Sequence, residues 1–198
     1  PGMHPEALAT IREKEQCEAA GVLGVGEVVF LRHHDGALED GKEFRGEVVR
    51  EIRKHRPDVV MCMDPYRSTT HTHRDHRISG QVALDAISPC AWGRLYFPAL
   101  IEEEGLEPHK VQEVYLWGGE DPDTYVDITE TMDLKFEALK KHASQISDHE
   151  QLLKRLQERG KRSGELANLR YAEGFRRLRV VADHLVGGFL PSDRDRPL

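Results

Sequence analysis

The sequence predicts an α/β fold, a mostly parallel sheet with flanking helices. Three observations predict it. Short apolar runs alternate with longer amphipathic stretches along the 198 residues, the pattern of strands joined by helical crossovers. The run Pro57–Asp64 (PDVVMCMD) is apolar almost throughout, as expected of a strand covered on both faces. No run of about 18 apolar residues occurs, so no segment can cross a bilayer as a helix.

The elements follow in order. Pro5–Leu23 reads as a helix, with Leu8, Ile11, Ala19 and Ala20 among charges and Gly24 as its stop. Glu27–Leu31 (EVVFL) reads as a short buried strand. Residues 32–41 form a polar loop containing the turn dipeptide Asp35-Gly36. Glu43–His55 is a second amphipathic helix, followed by the Pro57–Asp64 strand. Residues 65–73 form a loop rich in Thr and His, and Asp75–Ile87 a third helix. Val111–Trp117 and Tyr125–Ile128 read as strands, Thr131–Ile146 as a helix, and His149–Arg159 and Glu165–Leu185 as charged helices. Only three good strands are visible. A doubly wound sheet usually has more, so strands are expected to be missing at the front.

Composition excludes several functions. Lys and Arg number 28 against 35 Asp and Glu, a net charge of -7, which disfavours a nucleic-acid partner because phosphate backbones need a basic face. The three cysteines, Cys17, Cys62 and Cys90, form neither a CxxC zinc pattern nor a disulfide framework. That usage points to a reducing, cytoplasmic location. Eleven histidines are an enrichment in the residue that most often ligates metals and moves protons.

Position decides what those histidines do. The segment Thr70-His71-Thr72-His73-Arg74-Asp75-His76-Arg77 follows the Pro57–Asp64 strand and enters a helix. His73 and His76 are three apart and share one face of a helix start. Two imidazoles with a carboxylate between them suit zinc or another divalent ion, and Asp75 could orient a histidine. A solvated loop with Asp75 as a first-turn acid is the simpler alternative. In parallel sheets, ligands bind beyond the carboxyl ends of strands. A third ligand would then come from Asp64, His33, His34 or Asp35. Arg12, Glu13 and Glu15 read as a solvated helix face, or Arg12 as a holder of polar substrate. Asp35-Gly36 is a plain turn, or a carboxylate offered to sugar hydroxyls. His142 complements a helix dipole.

Taken together, these segments resemble the LmbE-like, or PIG-L, family of zinc-dependent N-deacetylases. Ile11-Arg12-Glu13-Lys14-Glu15 with Ala19-Ala20 and Leu23-Gly24-Val25 resembles the helix after the family's second strand. Val28–Leu31 with Asp35-Gly36 resembles its next strand and substrate loop. Arg56–Val60 leads to His73-Arg74-Asp75-His76-Arg77, similar to the family's HPDH-type motif with Arg74 in place of Pro. Lys135, Ala138-Leu139 and His142-Ala143-Ser144-Gln145 resemble a late helix, and Tyr171–Phe175 a closing one. The family's first-strand AHPDD signature is absent. The expectation is a single domain over residues 1–198, incomplete at its N-terminus by about 45 residues, on the grounds of a missing strand-helix-strand unit.

The resemblance implies a Rossmann-like fold and roles by position. His76 matches a Zn2+ ligand. His73 matches the group that stabilises the oxyanion or protonates the leaving amine, and Asp75 the carboxylate that positions its histidine neighbours. Arg12, Asp35 and His142 match substrate contacts. The implied reaction removes an N-acyl group, expected to be acetyl, from an amino-sugar conjugate, and the chain alone is expected to be inactive. The alternatives are a non-catalytic sugar- or partner-binding module, an amidase of a larger mycothiol-type conjugate, and a metal set of His73, His76 and Asp64.

Overall fold

The computed structural model describes residues 4–67 and 73–180. In chain order the elements are α1 (Pro5–Leu23), α2 (Lys42–His55), β1 (Val59–Met63), α3 (Arg74–Asp85), a kinked turn (Ala86–Cys90), α4 (Pro98–Glu102), β2 (Glu113–Trp117), β3 (Thr124–Asp127), α5 (Met132–Lys140), α6 (His149–Ala167) and β4 (Ala172–Arg179). They divide between two compact units. One is Pro1–His34 with Asp121–Phe175, the other Asp35–Glu120 with Arg176–Leu198. The strand order is β1-β2-β4-β3, and β4 contributes its first half to one unit and its second half to the other.

The second unit holds the larger apolar core. Val49 and Ile52 of α2 pack with Ala86 and Ile87 after α3 and with Val114 and Leu116 of β2. β1 and β2 are parallel, with Val60 opposite Val114 and Cys62 opposite Leu116. The even-numbered residues of β1 turn to this core. Its other face is open over its first part, where Val59 is 47% exposed and Met61 58%, and Met63 at its end is buried. The apolar run of Pro57–Asp64 is therefore not covered on both sides, as the sequence led us to expect. In the kinked turn after α3, Ser88 is extended ahead of Pro89, since proline disfavours helix at the preceding residue.

One buried cation organises the segment that follows. Arg53 of α2 is 2% exposed and donates to backbone carbonyls only, at Ala91 (3.0 Å), Phe97 (3.3 Å), Cys90 (3.1 Å), Gly93 (3.1 Å) and Tyr96 (2.9 Å). Burial holds its pKa below the usual guanidinium range. The planar five-donor fork of arginine suits such a ring of carbonyls.

α3 lies against the end of β1 through Gly80. A side-chain methyl at Gly80 would fall inside contact distance of the Met63 carbonyl oxygen. Backbone cannot yield as a flexible side chain can, so Gly80→Ala is expected to cost about 2 kcal/mol through overpacking. A shift in the urea midpoint at constant m-value measures it.

In the first unit, α1 begins with Pro5 in its first turn and ends at Gly24 with φ 72°, the left-handed cap that glycine accommodates. β3 pairs antiparallel with β4, Thr124 opposite Phe175 and Asp127 opposite Ala172. The sheet is therefore mixed, with one parallel and one antiparallel pairing fixed by these registers.

Three sequence expectations need correction. Glu27–Leu31 is not a strand. It has no ladder partner among the described residues, Val29 and Leu31 are exposed, and the chain turns at Arg32 with φ 57°. Thr131–Ile146 is helical only to Lys140, because the Ser144 amide donates to the Glu15 side chain instead of continuing the helix. Glu165–Leu185 is not one helix. α6 runs on to Ala167 and stops at Asn168 in the left-handed conformation, and Ala172–Arg179 is strand. The Tyr171–Phe175 segment thus belongs to β4 and its approach. Residues 181–185 of that expectation lie outside the described residues.

Candidate functional site

The N-terminus of α3 carries the most chemistry. His73 is its N-cap residue, and its ring Nδ1 accepts the Asp75 N–H at 3.2 Å. A neutral ring that accepts at Nδ1 carries its hydrogen on Nε2. His73 therefore presents a donor at Nε2. His76 lies one turn on and is exposed, with its ring centroid 4.9 Å from that of His73. Thr70, His71 and Thr72 of the same motif lie outside the described residues.

Asp75 is engaged with a distant turn. Its Oδ2 accepts the Gly36 N–H at 2.5 Å and its Oδ1 the Leu38 N–H at 3.2 Å. Arg74 Nε donates to the Leu38 carbonyl at 3.1 Å. Partial burial works to raise the Asp75 pKa, but the two amides, His73 and Arg74 outweigh it, and the net shift is downward. Asp35-Gly36 forms the turn, with Gly36 at φ 79°. Among the described residues, Asp35, His73 and Asp75 each offer a ligand atom within 4.8 Å of the others.

That donor set answers whether a divalent ion fits. Imidazole nitrogen and carboxylate oxygen are the chemistry zinc takes. One ring cannot accept the Asp75 N–H at Nδ1 and also ligate through Nε2 in the neutral state. The oxygens of Asp75 are already aimed at two amides. His76, whose ring centroid is 4.9 Å from that of His73, is not a member of that group. Asp64 is not a member of the group. It is 3% exposed, both its oxygens accept from Arg176 at 2.6 Å, and Oδ1 accepts the Tyr66 N–H at 2.9 Å. The set His73, His76 and Asp64 is thus not assembled.

Arg12 and His142 lie in the first unit, and both act on Glu15. Glu15 is 8% exposed, and its carboxylate accepts the Ser144 hydroxyl at 2.7 Å and the Ser144 N–H at 2.6 Å. The Ser144 hydroxyl lowers its pKa most. Burial opposes this, and the Ser144 amide, His142 and Arg12 lower it further. Sequence reasoning missed Glu15 by placing it on the solvated face. The signal was present, since Ile11, Glu15 and Ala19 stand at i, i+4 spacing on an otherwise apolar stripe.

The sign of the pH dependence follows. A folded-state pKa below the unfolded one gives stabilisation that is full above the unfolded glutamate value and lost as pH falls through the folded one. The Ser144 amide is therefore expected to lose exchange protection on acidification, at a pH below the ordinary glutamate pKa. In Glu15→Gln that titration step should vanish from the Ser144 amide resonance.

Residues 1–87 match the family PIG-L, GlcNAc-PI de-N-acetylase. Arg12, Asp35, His73, Asp75 and His76 fall within that span, and His142 outside it. The chain is 33% identical over 174 residues to diacetylchitobiose deacetylase of Thermococcus kodakarensis, covering 85% of this chain and 63% of that protein. It is similar to the structure of N,N′-diacetylchitobiose deacetylase from Pyrococcus horikoshii with its inhibitor MPG, at TM-score 0.78 and 30% identity, over 88% of this chain and 65% of that one. The chain thus spans somewhat under two thirds of each. The GalB 4-carboxy-2-hydroxymuconate hydratase from Pseudomonas putida shares the fold, at TM-score 0.71 and 23% identity, over 91% of this chain and 77% of that one. A hydratase and deacetylases on one fold mean that chemistry must be argued from the site.

Proposed function

We propose, for a chain whose first 87 residues match the PIG-L family, that the protein removes the N-acetyl group from a small amino-sugar conjugate by zinc-dependent hydrolysis. The observation that carries it is the α3 N-terminus: a donor imidazole at His73, a second imidazole at His76 and the Asp35 turn held beside them. His76 would hold the zinc. When bound, zinc supplies Lewis acidity toward the amide carbonyl and acidifies water.

The chain's own residues supply positioning and hydrogen bonds around it, and the base that takes the proton of water has no assigned counterpart among them. His73, with its hydrogen on Nε2, donates a hydrogen bond to the oxygen that gains charge as the amide is attacked. Asp75 fixes the geometry around it. The Asp35 carboxylate accepts from a sugar hydroxyl, and Arg12 and His142 keep the substrate-contacting roles that the family resemblance gives them. The proposal takes residues 1–198 as deacetylase domain throughout. It places the protein in the cytoplasm, which the three free thiols support. Among the described residues, no helix is long and apolar enough to cross a membrane.

Acetate release from N,N′-diacetylchitobiose tests this. The whole protein should yield acetate and free amine in equal amounts, and a chelator should stop it. Residues 1–198 alone should turn over weakly, because His76 is their one assigned zinc ligand. No release by the whole protein overturns the reading. Rapid release by the metal-stripped chain contradicts its zinc dependence.

A further inference from the structure

The geometry points to Asp75 as a positioning residue that acts through the Asp35–Leu38 turn: by accepting the Gly36 and Leu38 amides, it holds the Asp35 carboxylate beside the His73 ring. What this pair serves rests on the deacetylase reading, but the contact itself does not. Both oxygens of Asp75 are engaged, one by each amide. The partners lie 39 and 37 residues away in sequence, so this is tertiary anchoring and not local capping of α3. Arg74 completes the clamp from the next position by donating to the Leu38 carbonyl. The first two residues of α3 thus hold both backbone polar groups of Leu38.

The turn needs such a clamp. Gly36 sits at φ 79°, a conformation glycine reaches easily but does not hold by itself. Residues 31–37 are exposed, so packing contributes little to their placement. Charge-assisted bonds from a carboxylate to backbone amides are the stronger kind. The result is a carboxylate fixed within 4.8 Å of an imidazole. That pair suits a ligand carrying a hydroxyl next to its scissile amide, as an N-acetylated amino sugar does. A loose turn would have to be ordered at each binding event, with a loss of affinity.

Three variants test it: Asp75→Asn, Asp35→Asn and the double variant, each in the 198-residue protein. Asparagine keeps the shape of Asp75 but replaces one acceptor oxygen with a donor. In Asp75→Asn the Gly36 or Leu38 amide should exchange about tenfold faster, the size expected for losing one charge-assisted bond. Asp35→Asn should leave both amides as they were. The Val114 amide in β2 should be unaffected throughout, which shows that the fold persists. The His73 Hε1 resonance should move in both single variants, and in the double one by less than the sum of the two. Unchanged exchange at both amides overturns the proposal. So do fully additive His73 shifts, which would mean that Asp35 and Asp75 reach the ring independently. Should the variants fail to fold, coupling through the hydrogen bond from the Gly36 amide nitrogen to Asp75 Cγ in the wild type reads the same contact, and its absence counts against it. None of these readouts uses deacetylation, so a failed activity assay and a failed clamp remain distinguishable.

Discussion

Alanine at His76 is expected to lower zinc affinity by more than about a hundredfold, since even loss of a ligand's hydrogen-bond partner costs 10- to 100-fold. Acetate release should fall with it. Alanine at His73 should behave differently. Its ring accepts the Asp75 N–H at Nδ1 and so presents a donor, not a lone pair, at Nε2. His73→Ala should therefore retain zinc within a few-fold while turnover drops by about 10²–10³, the usual cost of removing an oxyanion donor. Competition against a chromophoric chelator reads the first quantity and acetate release by the whole protein the second. The contrast is the point, because the two rings are only 4.9 Å apart. If His73→Ala loses zinc and His76→Ala keeps it, the two roles are exchanged and the tautomer argument fails.

The second large effect is on stability. Arg53→Met should lower the unfolding free energy by about 3 kcal/mol, because it removes five charge-assisted bonds and takes the arginine donor from Cys90 and Tyr96, while the Ala91, Gly93 and Phe97 carbonyls keep backbone N–H donors from His109, Tyr96 and Leu100. The five acceptors at Cys90, Ala91, Gly93, Tyr96 and Phe97 receive their side-chain bonds from this one guanidinium. Methionine matches the apolar stem but offers no hydrogen. Arg53→Lys should recover only part of the loss, since an ammonium presents three donors from one point and cannot span the ring of carbonyls. Urea unfolding of the three proteins checks this order. A methionine variant as stable as the parent would show that water or a rearranged backbone satisfies the carbonyls.

The pattern of what was legible in the sequence has physical causes. α1 was readable to the residue, because a proline start and a glycine stop are local signals that need no tertiary partner. The β1 and β2 strands were readable from apolar runs, and α3 from its position after one of them. β4 was not. Its sequence Ala172–Arg179 is rich in charge, and its identity as a strand depends on distant partners: β3 for its first half, Glu113 and Asp64 for Arg177 and Arg176. Conversely, EVVFL has strong strand propensity and forms none, since propensity without a ladder partner does not suffice. At the site, residue types and spacing picked out His73, Asp75, His76 and Asp35. They did not show that Asp75 reaches back to Gly36 and Leu38, because no local pattern encodes a carboxylate's choice between an imidazole and two amides far away in the chain. Arg53 stayed hidden for the same reason. It stands in the last turn of α2, and only the fold of residues 90–97 makes it a hub.

The central claim is that the turn at Asp35–Leu38 and the α3 start at His73–His76 form the site for an N-acetylated amino sugar. Titrating N,N′-diacetylchitobiose into the zinc-supplemented 198-residue protein, with amide and imidazole resonances followed residue by residue, tests it most directly. The account predicts saturable shifts at Gly36, Leu38, His73 and His76 that are weakened in Asp35→Asn. Saturating sugar that moves none of these resonances, or moves only residues elsewhere, would contradict it.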